Sequence, residues 1–298
     1  MMRGMNAAIS GLEASQTQLD VTANNLANIN TIGYKSQSTN FVDELSQTIG
    51  PATAPTTYSG GTNAQQVGLG VAVGSISNNM TAGTSQTTGN PLDVDISGDG
   101  YFVVGNGNPS TSALTSNLPT SNQYSRAGNL SLNSEGYLTT QSGQYVMGYT
   151  APSGSTPAGT MTYINIPPGS TNVAIGTNGA VTYTDENSAD NGTNGAPNTY
   201  GQTVTAGYLA LATFPNEAGL TRDGGSLLSA SVSSGAATLG TPNTGGFGST
   251  VSGELEGSNV DMATEFSNMI TAQNAYEADS KVITTAQQMM QSVVQMVQ

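Results

Sequence analysis

Two stretches with the spacing of a coiled-coil seam stand at opposite ends of this 298-residue chain. Met2, Met5, Ile9, Leu12, Gln16, Leu19, Ala23 and Leu26 recur in steps of three and four, and Met262, Phe266, Met269, Gln273, Tyr276, Ser280, Ile283, Gln287, Met290, Val294 and Val297 do the same. That spacing puts a narrow apolar stripe along one face of each helix. Stripes of this kind are covered by packing on each other or on copies of themselves. The sequence between them reads as β-structure, so the fold class expected is α+β: an all-β domain, sandwich or barrel-like, carried on paired N- and C-terminal coiled-coil helices.

The first helix can be followed to about Asn30, where Gly33 stops it. Asn24, Asn25, Asn28 and Asn30 are poor interior helix residues, so the last turn either frays or spends its amides on neighbours. Phe41, Val42, Leu45 and Ile49 then form a brief helix or an extended arm, and residues 50–67 have the Pro, Gly and Thr content of a linker. The expected division is an N-terminal helix over 1–33, an arm and linker over 34–66, a β domain over 67–250 and a C-terminal helix over 251–298.

Within the β domain, Leu92, Val94 and Ile96 alternate with Asp93, Asp95 and Ser97 before Gly98-Asp99-Gly100, which predicts a hairpin into Tyr101–Val104. Turns at Ser134-Glu135-Gly136 and Asn178-Gly179 predict two more, joining 130–132 to 137–138 and 173–175 to 181–183. The Gly-, Ser-, Thr- and Asn-rich stretches 105–122, 150–160, 184–203 and 234–250 read as surface loops. The last helix starts at Ser258 or Asp261 and runs for about 55 Å, longer than a globular domain requires.

Five basic residues (Arg3, Lys35, Arg126, Arg222, Lys281) face nineteen acidic ones, for a net charge of −14. Such a chain is repelled by phosphate, which argues against nucleic acid and anionic membranes as partners. No apolar run is long enough to span a bilayer, and the N-terminus lacks the pattern of a cleaved secretory signal. With no His and no Cys, the commonest acid-base and nucleophilic groups are missing, and neither Lys35 nor Lys281 sits in a catalytic motif. The reading is therefore of a protein that is not an enzyme and holds no cofactor. Asp95-x-Ser97-x-Asp99-Gly100 imitates the start of a calcium loop, but the twelfth position is Asn106, so a turn with solvent-facing acids is the simpler account.

Four blocks of the sequence carry a resemblance to a known family. They are Ser10-Gly11-Leu12 with Leu19 through Lys35, Thr87 to Ile96 with Gly100–Val104, Tyr124–Gly128 with Gly136-Tyr137-Leu138, and Leu255 to Asp261 continuing to Thr285. In these blocks the chain resembles the bacterial flagellar axial proteins of the rod and hook, and most closely a short hook protein. Gln66–Gly70 and Asp261–Phe266 look hook-like, whereas the length and Ile166-Pro167-Pro168-Gly169 are also similar to the distal rod protein. Asn274 stands where many relatives have Arg.

The resemblance implies an inner core built from both helices, an outer β domain and polymerisation of many copies into a hollow tube outside the cell. As a hook subunit, the chain would transmit torque from rod to filament. The implied neighbours are other copies, distal rod and hook-filament junction proteins, and the hook cap during assembly. Export through the flagellar type III gate is also implied, and Phe41-x-x-x-Leu45 resembles its recognition motif. The residues expected between subunits are Met5, Ile9, Leu12, Leu19, Leu26, Met262, Phe266, Met269, Tyr276, Ile283, Met290 and Val294. The reading from another class is a secreted glycan-binding adhesin on helical stalks.

Overall fold

The structure is a computed structural model that describes residues 2–55, 57, 60–107, 122–150, 161–186 and 201–297. The expected loops at 105–122, 150–160 and 184–203 lie largely outside them. The chain divides into two compact units: residues 1–28, 36–79 and 260–298 form the first, and residues 29–35 and 80–259 the second.

The first unit holds two helices, α1 (Met2–Ala27) and α2 (Met262–Val297), and four strands, β1 (Gln37–Asp43), β2 (Ser46–Gly50), β3 (Gln65–Gly68) and β4 (Val71–Asn78). All pairing is antiparallel, β1 with β4 and β2 with β3, so the ribbon doubles back on itself. The division drawn from sequence, with a linker over 34–66 and a β domain from 67, cuts across this ribbon. Its strands are rich in Gln, Ser, Thr and Asn and mostly exposed, which is why they read as linker.

Helix ends are fixed by side chains. Asp261 caps α2, its Oδ1 accepting from the Ala263 N–H at 2.9 Å and its Oδ2 from the Thr264 hydroxyl at 3.0 Å. At the end of α1, buried Asn25 exchanges two hydrogen bonds with the Gln37 backbone, donating to its carbonyl at 2.8 Å and accepting from its N–H at 2.9 Å. Asn25 is thus spent on a neighbouring strand, whereas the Asn28 amide donates back to Asn24 within the turn.

The second unit is an antiparallel β body whose 13-stranded sheet runs through 171–175, 180–184, 203–209, 145–149, 101–105, 123–125, 227–229 and 221–224. Strand 101–105 is buried along its whole length because it is covered on both faces. Phe102 and Val104 enter one core with Val146, Leu209 and Leu211, while Tyr101 and Val103 enter a second with Met147, Phe214 and Leu228. The hairpins at 130–140 and 171–184 form as expected, with Gly136 and Gly179 at positive φ in their turns.

The hairpin expected at 94–104 does not form. Strand 94–97 pairs with 249–252, and strand 101–105 pairs with 123–125, 145–149 and 211–213. Of the neighbouring acids only Asp99 faces solvent as expected: Asp93 and Asp95 are buried, and the Ser85 hydroxyl donates to Asp95. The stretch 234–250, expected as loop, contains strand 238–240.

Candidate functional site

The helix pair of the first unit is antiparallel. Gly11 lies against Asp279, and fourteen positions along each helix Asn25 donates to Glu265 at 3.1 Å. The touching faces are lined by small and polar residues. On α1, Ala8, Ser15 and Thr22 recur every seven positions and are buried, and on α2 buried Ala272 and Ala286 bracket half-buried Asp279 at the same interval. A Cβ at Gly11 would stand 2.5 Å from the Asp279 carboxylate, so the missing side chain is what leaves room for that carboxylate between the helices.

This close contact displaces the large apolar side chains to the edges and outer face. Met5, Leu12, Leu19, Leu26, Met269 and Ile283 are half-buried. Ile9, Met262, Phe266, Tyr276, Met290 and Val294 are exposed, Val294 at 61%. Of the two coverings open to the apolar stripes, on each other or on copies of themselves, the helix pair supplies the first only in part: a second stripe of small residues makes the contact, and much of the large-residue stripe is uncovered. Sequence reasoning missed that second stripe although Ala8-Ser15-Thr22 carries a heptad of its own. It also missed Ile270, Val282, Met289, Val293 and Met296, which widen the exposed apolar surface of α2.

Phe41 lies on β1 opposite Val73, beside an irregularity after Asn40, and is 42% exposed. Leu45, between β1 and β2, is 82% exposed. Neither side chain packs the arm closely.

In the second unit the charged residues converge inside the protein. Glu256, 2% exposed, accepts from Lys35 Nζ at 2.6 Å, from Arg126 Nε at 2.5 Å and from the Gly83 N–H at 2.7 Å. Arg126 directs three of its four other N–H donors to the carbonyls of Ile96, Gly98 and Gly100, at 2.8, 2.7 and 2.5 Å. The Gly98-Asp99-Gly100 segment is therefore wrapped round a guanidinium rather than folded into a hairpin turn. Burial opposes ionisation of Glu256, but Arg126, Lys35 and Gly83 outweigh it and hold its carboxyl below the usual range. Burial pulls the Lys35 ammonium down, with Glu256 opposing. Arg222 donates to the Lys35 carbonyl and lies 4.8 Å from the centre of the Tyr34 ring.

This cluster is a structural clamp, since every member is closed in by its partners. A cavity of about 420 Å³ near Ile32, Ser125 and Ser226 has no titratable side chain in its lining. Among the described residues no group of three or more acids could hold a metal ion, and no helix is long and apolar enough to cross a membrane.

Three family profiles match the chain. Residues 5–35 match one described as flagella basal body rod protein, residues 95–183 the flagellar hook protein FlgE/F/G D1 domain, and residues 251–296 the flagellar basal body rod FlgEFG protein C-terminal region. The flagellar basal-body rod protein FlgG of Bacillus subtilis is 36% identical over 295 residues, covering 99% of this chain and 98% of that protein. Its counterpart in Caulobacter vibrioides is 37% identical over 298 residues, 99% of each. The flagellar hook protein FlgE of Borreliella burgdorferi is 40% identical over 152 residues, 51% of this chain and 32% of the hook protein.

Proposed function

Because the chain belongs to the flagellar rod and hook family of axial structural proteins, we propose that it is a rod subunit whose copies polymerise through their helix pairs. The observation that carries this reading is the uncovered apolar face of α2, from Met262 and Phe266 through Tyr276 to Met290 and Val294, left outside a helix pair already closed by small residues. Large apolar patches on a lone protein mark interaction sites. A contact that does not close on itself generates a filament.

Rod rather than hook is favoured by correspondence along the whole chain: rod proteins align with it end to end, whereas two hook proteins align over 51% and 36% of it. The hook reading stands second, because the hook proteins are 40% and 45% identical where they do align. In either case the neighbours are further copies and adjoining axial proteins. Phe41 and Leu45 would serve the export gate while the chain is unfolded.

Electron microscopy of the purified protein tests the reading, with helical polymers expected, alone or grown from basal-body fragments. Persistent monomer under every polymerising condition refutes it. Immunogold labelling of isolated basal bodies separates rod from hook. Specific binding on a glycan array would favour the adhesin instead.

A further inference from the structure

Cations are scarce in this chain, and three of the five are spent inside the β body, Lys35 and Arg126 on Glu256 and Arg222 on Tyr34 and the Lys35 carbonyl. The other two, Arg3 and Lys281, are exposed on the helices and make no ion pair among the described residues. Lys281 has Glu277 one turn ahead of it, the favourable order for a pair along a helix. Arg3 has only Asn6 and Ala7 at those distances, and it sits in the first turn of α1, where the helix dipole disfavours a positive charge. Nothing within its own helix explains a cation there.

At the opposite end of the helix pair is a site of complementary chemistry. A cavity of about 230 Å³ opens between α1, α2 and β1, walled by Gln18, Thr22, Gln37, Ser38, Glu265 and Asn268. Amide and hydroxyl side chains line it around one carboxylate, and no cation is in its lining. Burial pushes the Glu265 carboxyl up, with the Asn25 and Asn268 amides opposing and the charge of Asp261 adding to the rise. A planar group with several N–H donors and a positive charge suits that lining, as a guanidinium does.

We propose that this cavity receives the Arg3 side chain of a neighbouring copy, a head-to-tail contact that builds on the polymer reading and fixes the stagger between copies. Arg3 lies twenty-two residues along α1 from Asn25, which is level with Glu265, so copies joined this way and lying parallel are offset by about 33 Å along the helix pair. The contact is heterologous, because each copy offers a cation at one end and a receptor at the other, and it therefore propagates.

The test is a double-mutant cycle on the critical concentration for assembly of the full-length chain. Glu265→Gln preserves an oxygen for Asn25 and removes only the charge. Arg3→Gln and Glu265→Gln are each expected to raise the critical concentration about tenfold, and the double variant no further, which is the signature of a shared contact. Adding salt should weaken wild-type assembly more than assembly of either variant. Since the chain has no Cys, copies carrying both Arg3→Cys and Asn268→Cys should give a ladder of multimers with a short bismaleimide. Wild-type polymers with single variants that assemble normally, or with effects that multiply, overturn the contact and leave the polymer reading intact. Non-additivity of Glu265→Gln with Lys281→Gln instead moves the contact to Lys281 and equally overturns it. Failure of the wild type to assemble under any condition sinks both.

Discussion

Replacing Glu256 by Gln should destabilise the β body severely while changing its shape very little. In the native protein one carboxylate faces two buried cations: its Oε1 serves Lys35 and the Gly83 N–H, and its Oε2 serves Arg126. The amide can present an oxygen on one side only. With oxygen toward Lys35, its NH₂ meets the Arg126 guanidinium, and with oxygen toward Arg126 it meets both the ammonium and the Gly83 N–H. Either way a buried cation loses its counter-charge and faces a donor.

Breaking a buried pair by removing one partner costs on the order of 3–5 kcal/mol. Against a typical domain stability of about 5–15 kcal/mol, that is roughly a fifth of the total or more. Urea unfolding followed by tyrosine near-ultraviolet dichroism reads it directly, since the chain has no Trp and Tyr101 and Tyr124 lie in the core of this unit. A loss below about 1 kcal/mol at unchanged denaturant slope would refute the assignment of Glu256 as the clamp.

The variant should also lose part of the acid dependence. Because the folded carboxyl is held below its ordinary value, the unfolded chain binds the proton more readily. The stabilisation is complete above the unfolded pKa and fades as pH falls through the folded one. Wild type should therefore weaken more than Glu256→Gln on acidification through that window.

Three further outcomes follow from the geometry. Phe266→Ser combined with Val294→Gln should abolish polymerisation seen by electron microscopy while moving monomer stability by no more than about 0.5 kcal/mol, since both side chains are exposed. Removal of residues 1–28 should likewise stop assembly yet keep the near-ultraviolet dichroism of the β body, which begins at Ile29. Gly33→Ala should cost about 2 kcal/mol or more in a urea titration, because φ is +66° and the new Cβ would stand 2.7 Å from the Ala127 backbone nitrogen.

The helices were legible in the sequence because their periodicity is local, and so were the hairpins whose strands flank Gly136 and Gly179. What could not be read depends on distant partners. Strand 94–97 finds its mate about 150 residues later, at 249–252, and its Asp95 is buried by Ser85, so an alternation that looks half-exposed belongs to an interior strand. The Gly98–Gly100 segment takes its path from Arg126, a residue that local turn chemistry does not see. The clamp left a faint compositional trace: in a chain with five cations, Lys35 and Arg126 stand in apolar or glycine-rich surroundings rather than in a charged face. The stripe of small residues joining the helices was masked by the larger apolar stripe beside it.

The β body also decides the order in which the protein can mature. Within it the Gly33 N–H donates to the Glu256 carbonyl at 2.9 Å, the Asn259 N–H to the Tyr34 carbonyl at 3.4 Å, and Lys35 meets Glu256. Segments more than 220 residues apart in the chain are thereby stitched side by side, a few residues from where each helix begins or ends. Once the stitching is complete, pairing the helices no longer requires closing a loop of that length, a saving of roughly 3 kcal/mol relative to closing one of about ten residues. A newly threaded chain would therefore knit its body first and only then zip its two tails, which keeps their adhesive surfaces from meeting a neighbour before the subunit that carries them has formed.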